Sequence, residues 1–523
     1  MSANLDRACA ADDSLLQAGT TCWRASAAAR ATLLVDADEY FKALRAALLQ
    51  ARRQILIAGW DFDTRTRLPR GHSEPAHRDT APQELGELLG YILRQRPEME
   101  IHVVRWDYHW FYSDDREAKT RARLTRLGVH FHDDGTHPVT GCVHHKVVVV
   151  DDALAFCGGI DLTHKRWDTC AHEVHEPRRT DPDDGPYIPV HDTQLCVSGP
   201  VARDLHDYLL AGWPSAERPK PVSDAPELWP HGLRVEFRDV RVGIARTLPA
   251  MGARQASREI EAFYARAIAS AEHSLYLENQ YFTSTRIAQA LAARLRARPQ
   301  LQGLLVGMDR PKTHAERQTM GYGRSAFCDV LRQAGVSDRA PLVAAFAGDL
   351  GINLHSKLAV FDDRWLVVGS ANLNRRSMGF DVECNLIIEA RHPAERATIE
   401  ALRNRLLAEH TGLTIDAVSA ILATHGLAHL PDHAQGSRRL VRVDPRTQPL
   451  EPSLGPILAP IFDPEEPWAS TRPAGSAPRS SRWLGSLLLV GLITAALLTG
   501  SVVDDRLSGL SGLQQMLSSI LSS

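Results

Sequence analysis

Two stretches of the chain carry the same residues at the same intervals. "HHKVVVVDDALAFCGGID" starts at residue 144 and "HSKLAVFDDRWLVVGSAN" at residue 355. In both, one residue separates His from Lys, four separate Lys from Asp, and six separate that Asp from a glycine. The pairs are His144 and Lys146 with Asp151 and Gly158, then His355 and Lys357 with Asp362 and Gly369. A single His-x-Lys is most often a solvated or satisfied histidine, but a spacing repeated at every step is a duplication signal, which constrains the fold before anything else does.

The flanks repeat as well. Residues 36–63, "DADEYFKALRAALLQARRQILIAGWDFD", place Phe41, Leu44 and Leu48 on one helical stripe and run into an apolar strand, and residues 257–283 follow the same order. Strand patterns such as "MEIHVVRW" and "LQGLLVGM" alternate with helical patterns such as "TAPQELGELLGYILRQR" and "RIAQALAARLRAR". That alternation predicts an α/β fold of two duplicated sandwich halves with buried strands. The expected layout is an N-terminal segment (1–32), a first half (33–212), a joint (213–232), a second half (233–430) and a linker rich in Pro, Arg and Ser (431–482), followed by an apolar stretch (483–503) and a short tail (504–523).

On a strand, alternate side chains share a face, so His144 and Lys146 are expected to point together and His145 the other way. Two such strands brought side by side by the duplication would set two imidazoles and two ammonium groups around one cavity, which suits an anion. A phosphodiester can be cleaved there in two steps: one neutral imidazole attacks phosphorus and the other, protonated, donates to the leaving oxygen. Lys146 and Lys357 would neutralise the phosphate oxygens and Ser370 and Asn372 would add donors, so neither metal nor cofactor is expected. An imidazole in this role needs a carboxylate on its other nitrogen. Asp192 in "VHDTQLCV" and Glu383 in "DVECNLII" each open an apolar stretch downstream of a motif histidine and are the candidates. Asp151 and Asp362, at the ends of the valine-type strands, are expected to serve a turn and not the chemistry.

The doubled HxKxxxxDxxxxxxG pattern resembles the phospholipase D superfamily over roughly residues 33 to 410. "HHKVVVVDDALAFCGGIDLTHKRWD", "LYLENQYF" and "LHSKLAVFDDRWLVVGSANLNRRSMGFDVECN" are similar to the eukaryotic-type phospholipases D in particular. The resemblance implies an active site between the halves, a phosphohistidine intermediate, and hydrolysis or alcohol transfer on a phospholipid headgroup. It implies His144 as nucleophile and His355 as general acid, an order the near-symmetric spacing leaves open. Lys146, Lys357 and Asn372 match the family's phosphate-binding positions. One departure between the copies is Asp161, which answers Asn372 although an ionised Asp cannot donate to phosphate.

Further candidates line the expected pocket: Gln280 in "ENQYF" with its counterpart Trp60, and Tyr108 and Trp110 in "RWDYHWFY". Residues 483–503 run 21 positions without a charge, enough for a membrane-spanning helix. Arg472, Arg479 and Arg482 precede this stretch and Asp504 and Asp505 follow it, which predicts a single C-terminal span with the catalytic region in the cytoplasm. The eight cysteines form no CxxC pair, in keeping with reduced thiols. A net charge of −3 argues against a broad nucleic-acid footprint. The expectation is therefore a membrane-held, monomeric phospholipase D-type phosphodiesterase or phosphatidyltransferase acting on phospholipid. A cardiolipin synthase-like phosphatidyltransferase is the alternative, ahead of a nuclease or a catalytically dead membrane scaffold.

Overall fold

The computed structural model describes residues 14–70, 79–107, 115–138, 140–213, 218–222, 227–311, 316–434, 436–444 and 455–467. Tyr108, Trp110 and the apolar stretch 483–503 lie outside them. Among the described residues no single helix is long and apolar enough to cross a membrane.

One continuous sheet carries the duplication. In the first half, neighbouring strands run His130–Asp134, Glu100–Trp106, Gln54–Gly59, Val147–Val150, Leu154–Gly158, Thr193–Ser198 and Arg24–Val35. In the second half, starting from the centre, the order is Phe237–Leu248, Glu383–Glu389, Trp365–Gly369, Lys357–Phe361, Ser274–Asn279, Gln302–Gly307 and Leu342–Ala347. The two series are mirror repeats joined by the antiparallel pair Arg24–Val35 and Phe237–Leu248. In each, the strand that follows the His-x-Lys runs antiparallel between an early strand and a hairpin partner.

The four valines are consecutive because both faces of their strand are covered, the condition under which strands read as unbroken apolar runs. Val147 and Val149 join a central core shared by both halves, with Leu358, Val360, Leu386 and Ile388 of the second half. Val148 and Val150 face an outer core with Phe41, Leu44 and Leu48 of the helix Asp36–Gln50. The second half repeats this, since Ala359 and Phe361 pack under the helix Glu259–Ser270. Because the central core mixes both halves, the inner faces of the two halves are stacked on each other: the Cys157 thiol reaches the Cys384 carbonyl at 3.7 Å.

Asp151 and Asp362 sit at the turns that end these strands, both at φ 50°. The Asp151 carboxylate accepts the backbone N–H groups of Arg52, Arg53 and Gln54 at 2.7 to 2.8 Å. Asp362 does the same for Glu272, His273 and Ser274 at 2.6 to 2.8 Å. Each aspartate thereby fixes the junction between a helix and the strand next to its own, away from the motif histidine.

Three expectations need correction. Residues 24–32, assigned to an N-terminal segment, belong to the central strand Arg24–Val35, which pairs with a strand on each side. The stretch 431–482 is not all linker: Arg438–Arg442 pairs with Leu342–Ala347, and the helix Gly455–Phe462 packs on the second half. His144 and Lys146 also stand ahead of their strand, which starts at Val147, and His355 precedes Lys357–Phe361.

Candidate active site between the halves

Each motif histidine is anchored by the opposite half. Val143 bridges Val382, and the N–H of His144 donates to the Val382 carbonyl at 2.9 Å. Reciprocally, Asn353–Leu354 pairs in parallel with Val190–His191, and the N–H of His355 donates to the His191 carbonyl at 2.8 Å. The residue after each cross-half contact is the carboxylate. Nδ1 of His144 lies 3.1 Å from both Glu383 oxygens and 3.0 Å from the Ser370 carbonyl, and Nδ1 of His355 lies 2.7 Å from Asp192 Oδ2. Sequence order suggested that each carboxylate serves the histidine upstream of it, but the structure crosses them. The stacked halves place the start of each strand against the other half's motif, which chain order cannot reveal.

A glycine in each half leaves room for a side chain of the neighbouring strand beside the site. A Cβ at Gly159 would lie 2.1 Å from Asp192 Oδ1, and one at Gly369 would lie 2.1 Å from Asn385 Oδ1. Any larger residue there would displace the side chain it meets.

The lysines are buried beside the histidines. Lys146 Nζ donates to the His144 carbonyl at 2.7 Å and lies 3.2 Å from Asp161 Oδ2. Lys357 Nζ bonds its own motif carbonyl at His355 and donates to Gln280 Oε1 at 3.1 Å. Asp161 therefore balances Lys146, and its other oxygen accepts the N–H groups of Trp60 and Asp61 at 3.0 and 3.2 Å. That accounts for an Asp where the second copy has Asn. Asn372 is 5% exposed and its Oδ1 has no hydrogen-bond partner among the described residues.

Ser370 departs from expectation. Its hydroxyl donates to Glu383 Oε2, and its N–H bonds the Cys384 carbonyl and Asn385 Oδ1. With its single O–H committed to the carboxylate, Ser370 orients Glu383 and does not offer a donor to phosphate. Trp60 stacks on Trp106 with centroids 5.9 Å apart and packs against an apolar cluster of Cys142, Val143, Leu248 and Val382 beside His144. His145 does face away from the site: its Nδ1 meets the Tyr208 hydroxyl at 2.7 Å within the core.

Burial sets the ionisation of the group. It holds the His144 imidazole well below its usual range, reinforced by the charges of Lys146 and Lys357, and pushes the Glu383 carboxyl up to about 8, with the nearby Asp381 charge adding to the rise. Burial also lowers Lys357 to about 7 against the attraction of Asp192, with Lys146 contributing repulsion. A neutral imidazole with Nδ1–H given to a carboxylate carries its lone pair on Nε2, the form that can attack an electrophile.

A second ionic group, which sequence reasoning missed, lies directly behind Asp192. His191 bridges Glu409 at 2.8 Å and Glu278 at 2.9 Å, His172 bridges Asp168 and Glu409 at 3.1 Å each, and His410 meets Glu278 at 3.0 Å. Asp36 accepts the Asp192 N–H at 3.2 Å, and Glu278 accepts the Ser356 hydroxyl at 2.6 Å. Ligand atoms of Asp36, His172, His191 and Glu409 lie within 4.8 Å of one another, a donor set that could hold a divalent cation. The only signal in the sequence is a run of histidines near acidic residues, with no spacing to connect positions 36, 172, 191 and 409.

The profile of the family described as "Cardiolipin synthase, PLD-like domain" matches residues 264–404. Phospholipase D A of Dictyostelium discoideum is 24% identical over 423 residues, covering 66% of this chain and 32% of that protein. Cardiolipin synthase B of Escherichia coli is 24% identical over 330 residues, covering 59% of this chain and 69% of that protein. The chain spans about a third of the length of the Dictyostelium and Schizosaccharomyces pombe phospholipases D that it matches, 32% and 35%. Its fold is similar to that of the crystal structure of phosphatidylserine synthase from Haemophilus influenzae, with a TM-score of 0.50, 14% identity, and coverage of 73% of this chain and 88% of that one. The family profile and these relatives support a place in the phospholipase D superfamily, which the doubled motif pattern resembles.

Proposed function

We propose that the chain is a phospholipase D-type enzyme that cleaves a phospholipid phosphodiester in two steps. The observation that carries this reading is the crossed pair of His–carboxylate contacts, His144 with Glu383 and His355 with Asp192, beside two buried lysines. His144 Nε2 forms a bond to phosphorus as the bond from phosphorus to the headgroup oxygen breaks, and His355 gives that oxygen a proton. Water or an alcohol then passes a proton to His355 and attacks phosphorus, releasing His144 with phosphatidic acid or a new phosphatidyl ester. In this reading Lys146, Lys357 and Asn372 hold the phosphate, Gln280 positions Lys357 by accepting from its Nζ, and Trp60 walls the headgroup side. We place His144 as nucleophile on the family resemblance, and burial with two nearby cations favours the neutral ring that role needs.

The family profile over 264–404 and the Escherichia coli relative favour a second reading. In it the donor and acceptor are both phosphatidylglycerol and the product is cardiolipin. The uncharged stretch 483–503 would hold the enzyme at a membrane, with the catalytic region on the cytoplasmic side.

Lipid mass spectrometry of purified protein with a panel of phospholipids, with and without a primary alcohol, tests all of this. Phosphatidic acid or a phosphatidyl alcohol supports the first reading, cardiolipin from phosphatidylglycerol the second, and no product from any lipid overturns both. An acid-labile phosphoenzyme should be absent in His144→Ala and still form in His355→Ala with an activated leaving group. The reverse result exchanges the two roles.

A further inference from the structure

The helix Gly455–Phe462 and the residues that follow it are seated on the second half by contacts converging on one buried carboxylate. Asp463 is 3% exposed. Its Oδ1 accepts the Arg376 N–H at 3.0 Å and its Oδ2 accepts the Thr283 hydroxyl. Phe462 accepts Arg376 Nη1 at 3.1 Å. The short helix Arg375–Gly379 leaves room for the segment, since a Cβ at Gly379 would lie 2.5 Å from the Glu465 carbonyl.

Arg376 uses its remaining donors on the seam. Nη2 donates to the Thr140 carbonyl of the first half at 3.0 Å, and Nε and Nη2 hold Asp381 at 2.6 and 2.9 Å. Asp381 accepts the Cys142 N–H at 3.0 Å, Val382 donates to the Cys142 carbonyl at 2.9 Å and accepts the His144 N–H at 2.9 Å, and Glu383 follows Val382 directly. The chain of bonds from Asp463 to the His144–Glu383 pair is unbroken.

We propose that residues 455–467 are a strap whose Asp463 is a positioning residue for the active site, acting through Arg376 to hold the strips 140–144 and 381–383 together. Its catalytic consequence rests on the reading of His144 and Glu383 given above, whereas its structural content does not. Asp463 fixes the Arg376 backbone through its N–H, and the strap it seats brings the Phe462 carbonyl to the guanidinium; with that seat lost, Arg376 no longer holds both strips in one geometry.

Peptide-level hydrogen exchange on the full chain decides the structural content without any substrate. In Asp463→Ala, and independently in Gly379→Ala, backbone exchange over 140–146 and 381–384 should quicken by about tenfold or more, while the strand Leu342–Ala347 stays as protected as in the wild type. Glu466→Gln, which removes an exposed partner of Arg258 on the same segment, should change nothing at the seam. Exchange that quickens only within 455–467 overturns the proposal. With bis(p-nitrophenyl) phosphate as probe, Asp463→Ala should lower kcat by about tenfold or more with KM little changed, because the lysines are untouched, and an equal loss in both constants overturns the positioning role. A wild type that turns over no phosphodiester defeats the proposed function instead, and the exchange result still stands or falls alone.

Discussion

Glu383 lies 3.1 Å from Nδ1 of His144 although 239 positions separate them in the chain. Asp192 reciprocates at 2.7 Å from His355, 163 positions away. Each half is thus incomplete, since the carboxylate that fixes its imidazole's tautomer belongs to the other. A duplication that produced two self-sufficient sites would have kept these pairs within a half. The crossing makes the docked arrangement of the halves a condition for either histidine to be held.

Glu383→Gln should preserve the fold and abolish most turnover. The amide oxygen can still accept from Nδ1, but the charge that supports a positive imidazole is gone and the amide can impose the wrong tautomer. By analogy with the loss of the acid from a catalytic triad, kcat should fall roughly 10³- to 10⁴-fold, with an unchanged circular dichroism spectrum. A loss below tenfold would mean that the carboxylate does not serve His144.

How much of this was legible beforehand depends on what encodes it. The repeated spacing exposed His144, Lys146, His355 and Lys357 because duplication writes the same local pattern twice. It also isolated His144 from His145, since the second copy has Ser356 at that place. Glu383 and Asp192 could be nominated by residue type, but not paired, because partner choice is set by how two sheets stack. Ser370 was misjudged for the same reason: a serine after a glycine looks like a phosphate donor until Glu383 takes its hydroxyl. The strap could not be seen at all, since "PIFDPEEPW" reads as Pro-rich linker and only the burial of Asp463 reveals its attachment.

The pH profile of turnover should have two opposed limbs. The His144–Glu383 pair sheds its extra proton near the carboxyl's raised value of about 8, so kcat should rise as pH climbs through that range. Lys357 loses its proton above about 7 in the free protein, so a phosphodiester anion binds with proton uptake and KM should rise with pH beyond that point. Steady-state constants between pH 6 and 9 check this: kcat/KM should peak between the two values, and a KM flat across the range would remove Lys357 from phosphate binding.

Asp151→Ala should destabilise the protein without touching its chemistry. The substitution strands three backbone N–H groups and puts Ala at φ 50°. Loss of charge-assisted bonds together with left-handed strain should cost about 3 kcal/mol or more. Asn tolerates that conformation and keeps one acceptor, so Asp151→Asn should cost about 1 kcal/mol. Urea denaturation gives the difference, and Asp362 should repeat the series with similar values. Unaltered kcat in the folded fraction separates these residues from the catalytic group, and a kcat lowered like that of Glu383→Gln would place Asp151 within it.

His145→Ser reproduces the second copy's residue but not its surroundings. Ser356 works because Glu278 accepts its hydroxyl at 2.6 Å, whereas His145 fills a core site and meets the Tyr208 hydroxyl at 2.7 Å with the rings edge to face. Serine at 145 removes ring volume and leaves Tyr208 without its donor. A cost of about 2 to 4 kcal/mol follows from the cavity and the lost bond together. Turnover per folded molecule should drop far less than in Glu383→Gln, because Tyr208 still donates to the Glu383 carbonyl at 3.3 Å. Tyr208→Phe removes that second contact as well, so thermal melts and kcat measured on both variants separate packing from alignment. A His145→Ser protein as stable as the wild type would mean that this ring packs without consequence.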